Sequence, residues 1–377
     1  MMKKPVWDIF CQVIDNWGDA GICWRLATQL GQRGISARLW IDDPQPLSWM
    51  NTPSATCPQV QIVPWHEAAN HIAPGEVLIE AFGCHAPDSY LQQAAVLSPP
   101  PIWINLEYLS AQPYAAQCHG LPSPQQAGPA KGLTRWFYYP GFTPETGGLL
   151  REPELPQMQQ NFDPDTWLLR HGIPVMPDHL RVSLFCYANR GLPDLIAQWQ
   201  NSAKPVHLLV TPGATAQALN PLLSIPVTDL PGTAPQSPVT LQYGHITITW
   251  LPFLSQQDFD CLLWSSDLNM VRGEDSWIRA IWAGKPFIWQ PYIQDDGEHQ
   301  HKLDAFLALV PDAPSSWVDF ERQWSAQSAP DWACLLSSLD ETALALEKLK
   351  HQLMAQPDLV TSLIRFVQQK STATSAA

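Results

Sequence analysis

Asp267-Leu268-Asn269-Met270-Val271-Arg272-Gly273-Glu274-Asp275-Ser276, continuing through Trp277–Trp289, is the stretch whose reading decides the fold. Asp267 to Val271 reads as a short buried strand and Ser276 to Trp282 as a helix. Ala283-Gly284-Lys285-Pro286 closes that helix, because glycine suits the left-handed position just past a helix end and proline blocks continuation. Phe287-Ile288-Trp289 reads as the next strand. Ser276, or Asp275 before it, is a natural N-cap, where free backbone N–H groups point outward. A helix N-terminus that follows a strand is an anion site, commonly for phosphate. Glu274 and Asp275 would repel a phosphate unless they face a sugar hydroxyl or a base, and Arg272 supplies countercharge. The unit therefore suggests a sugar-nucleotide site at the end of a parallel sheet.

Working outward, the pattern of strand, crossover helix and strand occurs twice. Val6–Ile14 reads as a strand interrupted by Asp8 and Gln12, and Asp15–Gly21 as a polar loop. Ile22, Leu26 and Leu30 then fall at helical spacing and Gly34 closes the helix. Residues 35–41, 77–81 and 102–105 read as further strands. From about Ser110 to Pro156 the chain is rich in Pro, Gly and Gln and reads as a long connection, of the kind that carries function or joins domains. A second series follows, with strands over 181–187, 206–210 and 246–250 and helices over 192–200 and 256–264. Between them 211–240 is another Pro-rich stretch. Near the end Leu359, Val360, Leu363, Ile364 and Val367 share one helical face, and Ser371–Ala377 reads as frayed. The simplest architecture is α/β, two Rossmann-like parallel-sheet domains facing a cleft, with ligands at the carboxyl ends of the strands.

The chain's 377 residues are enough for two cores, and a 45% hydrophobic content excludes wholesale disorder. A formal net charge of −14 argues against nucleic acid as a partner, since phosphate binding needs clustered Lys and Arg. It fits a solvated acidic surface or a partner with a basic site. The eight cysteines show no C-x-x-C and no zinc spacing with histidine, and read as buried small hydrophobes. No stretch approaches the roughly 20 apolar residues that span a bilayer. Lys3 and Lys4 precede a run that Asp8 interrupts, without a small-residue cleavage site, so the expected location is cytoplasmic, away from membranes.

Two loops hold the candidate chemistry. Asp15-Asn16-Trp17-Gly18-Asp19-Ala20-Gly21 is no dinucleotide fingerprint, but it sets two carboxylates at a strand's carboxyl end, with Gly18 and Gly21 allowing close backbone approach. The plainer alternative makes Asp19 a helix cap and Asp15 a turn residue. In the second half, Phe185, Tyr187 and Asn189 end a strand, while Phe253 and Phe259 flank Ser255-Gln256-Gln257. Such aromatics can sandwich a nucleobase and glutamine can read its amide edge, although core packing is the favoured explanation for any one of them taken alone. Tyr292, Gln294, Asp295, Asp296 and His299 read as a solvated loop rather than a metal site.

These residues resemble a known family, the bacterial protein-arginine rhamnosyltransferases that modify translation elongation factor P. The likeness is carried by Asp15-Asn16-Trp17-Gly18-Asp19, Trp103–Ser110, Leu121-Pro122-Ser123, Pro140-Gly141-Phe142, Thr146-Gly147-Gly148-Leu149 and Arg272–Ser276 through Pro286, in order along nearly the whole chain. The resemblance implies an inverting GT-B-type glycosyltransferase with dTDP-β-L-rhamnose as donor, an arginine of elongation factor P as acceptor, and neither metal nor cofactor. It implies Asp15 and Asp19 as acceptor-side aspartates, with Asp19 the favoured base, and Glu274 as an essential glutamate. Arg272, Asp275, Ser276 and Gly18 are implied to contact the donor. Phe185, Tyr187, Asn189, Phe253, Gln256 and Phe259 would form its nucleoside pocket. On this reading residues 1–155 bind the acceptor and 156–350 the donor, while 351–377 form a helix returning to the N-terminal domain and a frayed tail. The rival expectations are a GT-B enzyme or sugar-nucleotide epimerase acting on a small molecule, and a non-catalytic nucleotide-dependent binding protein.

Overall fold

The structure is a computed structural model that describes residues 5–13, 17–50, 57–69, 72–294 and 297–375. The chain divides into two compact units, Met1–Glu152 with Leu353–Ala377, and Pro153–Gln352.

The first unit is built on β1 (Val6–Cys11), β2 (Ser36–Ile41), β3 (Val60–Pro64), β4 (Val77–Ala81), β5 (Ile102–Leu106), β6 (Pro122–Pro124) and β7 (Thr134–Tyr138). Their order in the sheet is β3-β2-β1-β4-β5-β7-β6, parallel throughout except that β6 runs antiparallel to β7. Alternation along the strands separates two faces. Ile9, Ile79, Ile104 and Leu106 pack beneath the helix Gly18–Gln32, and Phe10, Leu78 and Trp103 pack on the opposite side. Asp8 lies on that opposite side, fully buried, and takes hydrogen bonds from Arg38 Nη2 (2.6 Å), Trp40 Nε1 (2.7 Å) and the Gly75 N–H (2.7 Å). A lone polar residue in an apolar strand is tolerated there because every oxygen is satisfied and the charge is paired.

Helix Leu359–Ser375 completes this unit. Leu359, Val360, Leu363, Phe366 and Val367 bury the stripe read from the sequence, and Arg33 Nη2 pairs with Asp358 Oδ1 at 3.1 Å. The helix continues through Ser375 among the described residues.

The second unit holds β8 (Leu180–Leu184), β9 (Val206–Val210), β10 (Val239–Tyr243), β11 (Ile246–Trp250), β12 (Leu268–Arg272) and β13 (Phe287–Gln290). Their order is β10-β11-β9-β8-β12-β13, parallel except for the edge hairpin of β10 and β11. Gly284 takes φ +66° at the C-cap of helix Asp275–Ala283, as its position after the helix required.

Three expectations are corrected. The 110–156 stretch is not an open connection: Thr134–Tyr138 is a strand paired with β5, its rings masked in sequence by the flanking Pro and Gly. The 211–240 stretch contains helix Ala214–Leu219 and the start of β10. The loop expected over Asp15–Gly21 is helical from Gly18 onward, so Gly18 and Asp19 form its first turn.

Candidate active site

In both sheets the strand order reverses beside the first strand, between β1 and β4 and again between β8 and β12. In doubly wound sheets ligands sit at the carboxyl ends of the strands flanking such a point. The segments singled out in the sequence emerge there: 17–19 follows β1, 185–189 follows β8, and 272–276 ends β12.

Around β8 and β12 the geometry is dense. The Phe185 N–H donates to Met270 O at 2.9 Å, aligning the two strand ends. The Arg272 guanidinium carbon lies 4.4 Å from the Phe185 ring centre and 4.5 Å from that of Tyr187. A guanidinium is planar, so it can stack by its face and donate by its edge. Phe259 meets Phe185 edge-on at 5.4 Å, and Tyr292 meets Tyr187 at 5.7 Å. Gly273 sits at φ +58°, where a Cβ would come 3.3 Å from the Tyr187 hydroxyl. Glycine is required both for the backbone angle and for the close approach.

The loop is anchored from beneath. The Gly273 N–H donates to Gln290 O (3.2 Å), while Trp289 Nε1 donates to Gly273 O (2.7 Å). Trp289 stacks face to face on Trp277, ring centres 3.6 Å apart. Gln290 is fully buried, and its Oε1 accepts the Tyr187 N–H at 2.9 Å. One glutamine thus holds both the aromatic strand end and the loop 272–276. The only sequence signal for it is a polar residue closing an apolar strand.

Helix Asp275–Ala283 begins one residue earlier than expected. Its N-cap position is Glu274, whose side chain makes no capping bond. Ser276 is therefore not the cap. Its hydroxyl donates to Arg272 O and accepts the Arg272 N–H (3.0 Å), drawing the helix start against the strand end. The Asp275 carboxylate accepts from Arg279 Nε at 2.9 Å. Arg279 is only 3% exposed, and its Nη1 reaches Asp260 Oδ2 (2.8 Å) and Gln256 O (3.4 Å). Arg279 therefore clamps the loop 272–276 to helix Gln256–Ser265, the helix that carries Gln256 and Phe259. Asp260 and Arg279 were missed in sequence because charges on an apolar helical stripe betray no partner. Glu274 and Gln256 are half-buried, and Phe253 is exposed at the start of this connection.

Asn189 follows β8. It is buried and committed internally, Nδ2 donating to Trp324 O (2.8 Å) and Oδ1 accepting the Gly191 N–H (2.8 Å). These bonds shape the turn after β8.

In the first unit Asp15 lies outside the described residues, so only Asp19 and Gly18 can be placed. Trp17 occupies the N-cap position without a side-chain bond, so Asp19 is not the cap. Asp19 lies close enough to Cys23, one turn on, to affect its thiol. Burial pushes that thiol well above the usual range, and Cys11, Asp19 and Cys84 add to the rise. Cys23 is therefore an inert packing residue. At the polar loop following β13, Asp295 and Asp296 also lie outside the described residues. Among the described residues no group of three His, Cys, Asp or Glu could hold a metal ion, and no helix is long and apolar enough to cross a membrane.

Residues 7–368 match the family described as elongation factor P (EF-P) rhamnosyltransferase EarP. The chain belongs to this family. A relative from Pseudomonas putida named protein-arginine rhamnosyltransferase is 39% identical, covering 96% of this chain and 98% of its own length. A solved structure described as the structural basis for EarP-mediated arginine glycosylation of translation elongation factor EF-P has a TM-score of 0.66 and 29% identity, covering 97% of this chain and 99% of its own. A glycosyltransferase from Rickettsia africae, only 9% identical, still has a TM-score of 0.54, which speaks for the fold alone. The chain is accordingly a glycosyltransferase with the α/β fold of the GT-B class.

Proposed function

We propose that this chain transfers L-rhamnose from dTDP-β-L-rhamnose to one arginine side chain of translation elongation factor P, in the cytoplasm and without a metal. The observation that carries the reading is its full-length kinship with proteins named protein-arginine rhamnosyltransferase.

The residues suit the roles this demands. Free guanidinium is a poor nucleophile, with a pKa above ~12 and delocalised lone pairs. Charge-assisted bonds from Asp15 and Asp19 orient one of its nitrogens toward the anomeric carbon. As that nitrogen forms the C–N bond, the C–O bond to the diphosphate breaks with inversion. The nitrogen becomes more acidic as it does so, and Asp19 takes its proton. The departing diphosphate gains negative charge, which the edge of Arg272 and the backbone N–H groups at the start of helix Asp275–Ala283 stabilise. Phe185, Tyr187, Phe253, Gln256 and Phe259 hold the thymidine, and Glu274 steadies the sugar or the developing positive charge. Gly18 admits the donor close to the first helical turn. Asp275 acts through Arg279, and Ser276 through its backbone N–H.

The deciding experiment is mass spectrometry of elongation factor P after incubation with enzyme and dTDP-β-L-rhamnose. One added deoxyhexose on arginine is expected. Donor consumption without the protein acceptor points to a small-molecule enzyme, and tight binding with no mass change points to a non-catalytic module.

A further inference from the structure

Helix Ser315–Ser325 packs along β13 and buries Trp317, Phe320, Glu321 and Trp324, a stripe at i, i+3, i+4 and i+7. Such a stripe asks for apolar side chains, yet one of its members is a fully buried glutamate. Burial pushes the Glu321 carboxyl well above the usual range, and the backbone N–H of Trp289 pulls it back in part. A buried carboxyl costs free energy unless it is hydrogen-bonded, so its partner shows what it is for.

That partner is set by the edge of the sheet. β13 ends the strand order, so one side of it has no strand beside it. The Asn269 N–H donates to Pro286 O (2.9 Å) and the Gly273 N–H to Gln290 O (3.2 Å), so residues 286, 288 and 290 turn their backbone groups toward β12. By alternation those of Phe287 and Trp289 face away. The helix meets both. Trp317 Nε1 donates to Phe287 O at 2.8 Å, and the Trp289 N–H donates to the two Glu321 oxygens, each at 3.0 Å. The two bonds differ in what lies beyond them. Phe287 packs into the aromatic core against Phe306 and Trp317. Trp289 reaches the site itself: its ring stacks on Trp277, and its Nε1 donates to Gly273 O at 2.7 Å.

We propose that Glu321 is a positioning residue for the donor: by holding the outward N–H of Trp289 it fixes the indole, and the indole fixes the Gly273 carbonyl and the loop that presents Arg272. This rests on the reading of loop 272–276 as the diphosphate site. Glu321 touches no ligand and acts through Trp289. The N–H and the indole of Trp289 hang from one Cα, so a backbone that shifts to find another acceptor carries the ring with it. Gly273 tolerates little of that shift, because even a Cβ there would stand 3.3 Å from the Tyr187 hydroxyl. An apolar side chain at 321 leaves the buried N–H without an acceptor, whereas a glutamine carbonyl replaces the native oxygen.

The test is calorimetry of dTDP binding, with the urea midpoint of each variant as the measure of folding. Glu321→Met weakens dTDP about 10-fold, and Glu321→Gln restores it to within about twofold. Trp317→Phe removes the neighbouring edge bond and lowers the urea midpoint, but leaves dTDP affinity in place. Trp289→Phe keeps a ring on Trp277, loses the bond to Gly273 and weakens dTDP as Glu321→Met does. Combining these last two adds no more than about twofold, since both act through one bond. If Glu321→Met does not fold, Glu321→Asp, one methylene short of the N–H, takes its place. Unchanged dTDP affinity in the Glu321 variant overturns the proposal, as do failure of glutamine to restore it, additive losses with Trp289→Phe, or an equal loss in Trp317→Phe, which would make Glu321 a plug for the sheet edge alone. A wild-type protein that binds no dTDP overturns the donor reading itself, a result distinguishable from all of these.

Discussion

Arg279→Met probes the clamp between the loop 272–276 and helix Gln256–Ser265. Arg279 is 3% exposed, 2.9 Å from Asp275 Oδ2 and 2.8 Å from Asp260 Oδ2. Methionine keeps much of the apolar stem but removes the charge, leaving two partly buried carboxylates without it. Removing one partner of a buried ion pair costs about 3–5 kcal/mol. Asp275 retains 16% side-chain exposure, so water offsets some of the loss and the low end, about 3 kcal/mol, applies. Urea denaturation measures it. Adding Asp260→Asn to Arg279→Met should recover about 1 kcal/mol or more, since one uncompensated charge goes with it. Calorimetry under native conditions should show dTDP affinity falling about tenfold, equivalent to about 1.4 kcal/mol, because the loop and Gln256 lose their common anchor. A stability loss under about 1 kcal/mol, together with unchanged dTDP affinity, refutes the clamp.

Further outcomes are expected. Asp19→Asn lowers kcat about 100- to 10,000-fold while dTDP affinity holds, and a loss of nucleotide affinity instead would make Asp19 structural. Arg272→Lys keeps the charge but not the stacking plane, and should weaken donor binding about 10-fold or more by calorimetry; unchanged affinity removes Arg272 from the phosphate role. His207 is buried against Thr249 Oγ1 at 2.8 Å, and burial lowers its pKa from 6.5 to about 4. A lowered histidine pKa means that the fold favours the neutral ring, so the stabilisation is full above pH 6.5 and is lost as pH falls toward 4. At about 1.4 kcal/mol per pH unit this is about 3 kcal/mol. His207→Gln should flatten the decline of the urea midpoint between pH 7 and 4.5, and an identical decline in both proteins assigns it to other groups.

Much of the site was legible because local rules act on neighbours in sequence. The left-handed Gly284 and the strand–turn–helix around Arg272 follow from backbone sterics and from apolar runs of strand and helix length. The stripe from Leu359 to Val367 was legible for the same reason. β7 was hidden because its pairing with β5 is non-local, and the Pro and Gly around it signal turns more strongly than five residues signal a strand. The internal partners of Asp275, Ser276 and Asn189 were not legible, because composition names a side chain's chemistry but not its partner. Each makes a side-chain bond within the protein that no local pattern announces.

The sequence by itself determined the α/β class, the two series, the family and the two loops proposed to carry the chemistry, since each is written in periodicity or in contiguous motifs. Only the tertiary structure decided how the labour is divided within those loops. It set Arg272 across two aromatic faces, made Asp275 a strut for Arg279 and put Gln290 under both strand ends. The reason is physical: a hydrogen bond or a stacked ring depends on distances of a few ångströms between residues far apart in the chain. Those distances are fixed by strand order and register rather than by any local run of residues.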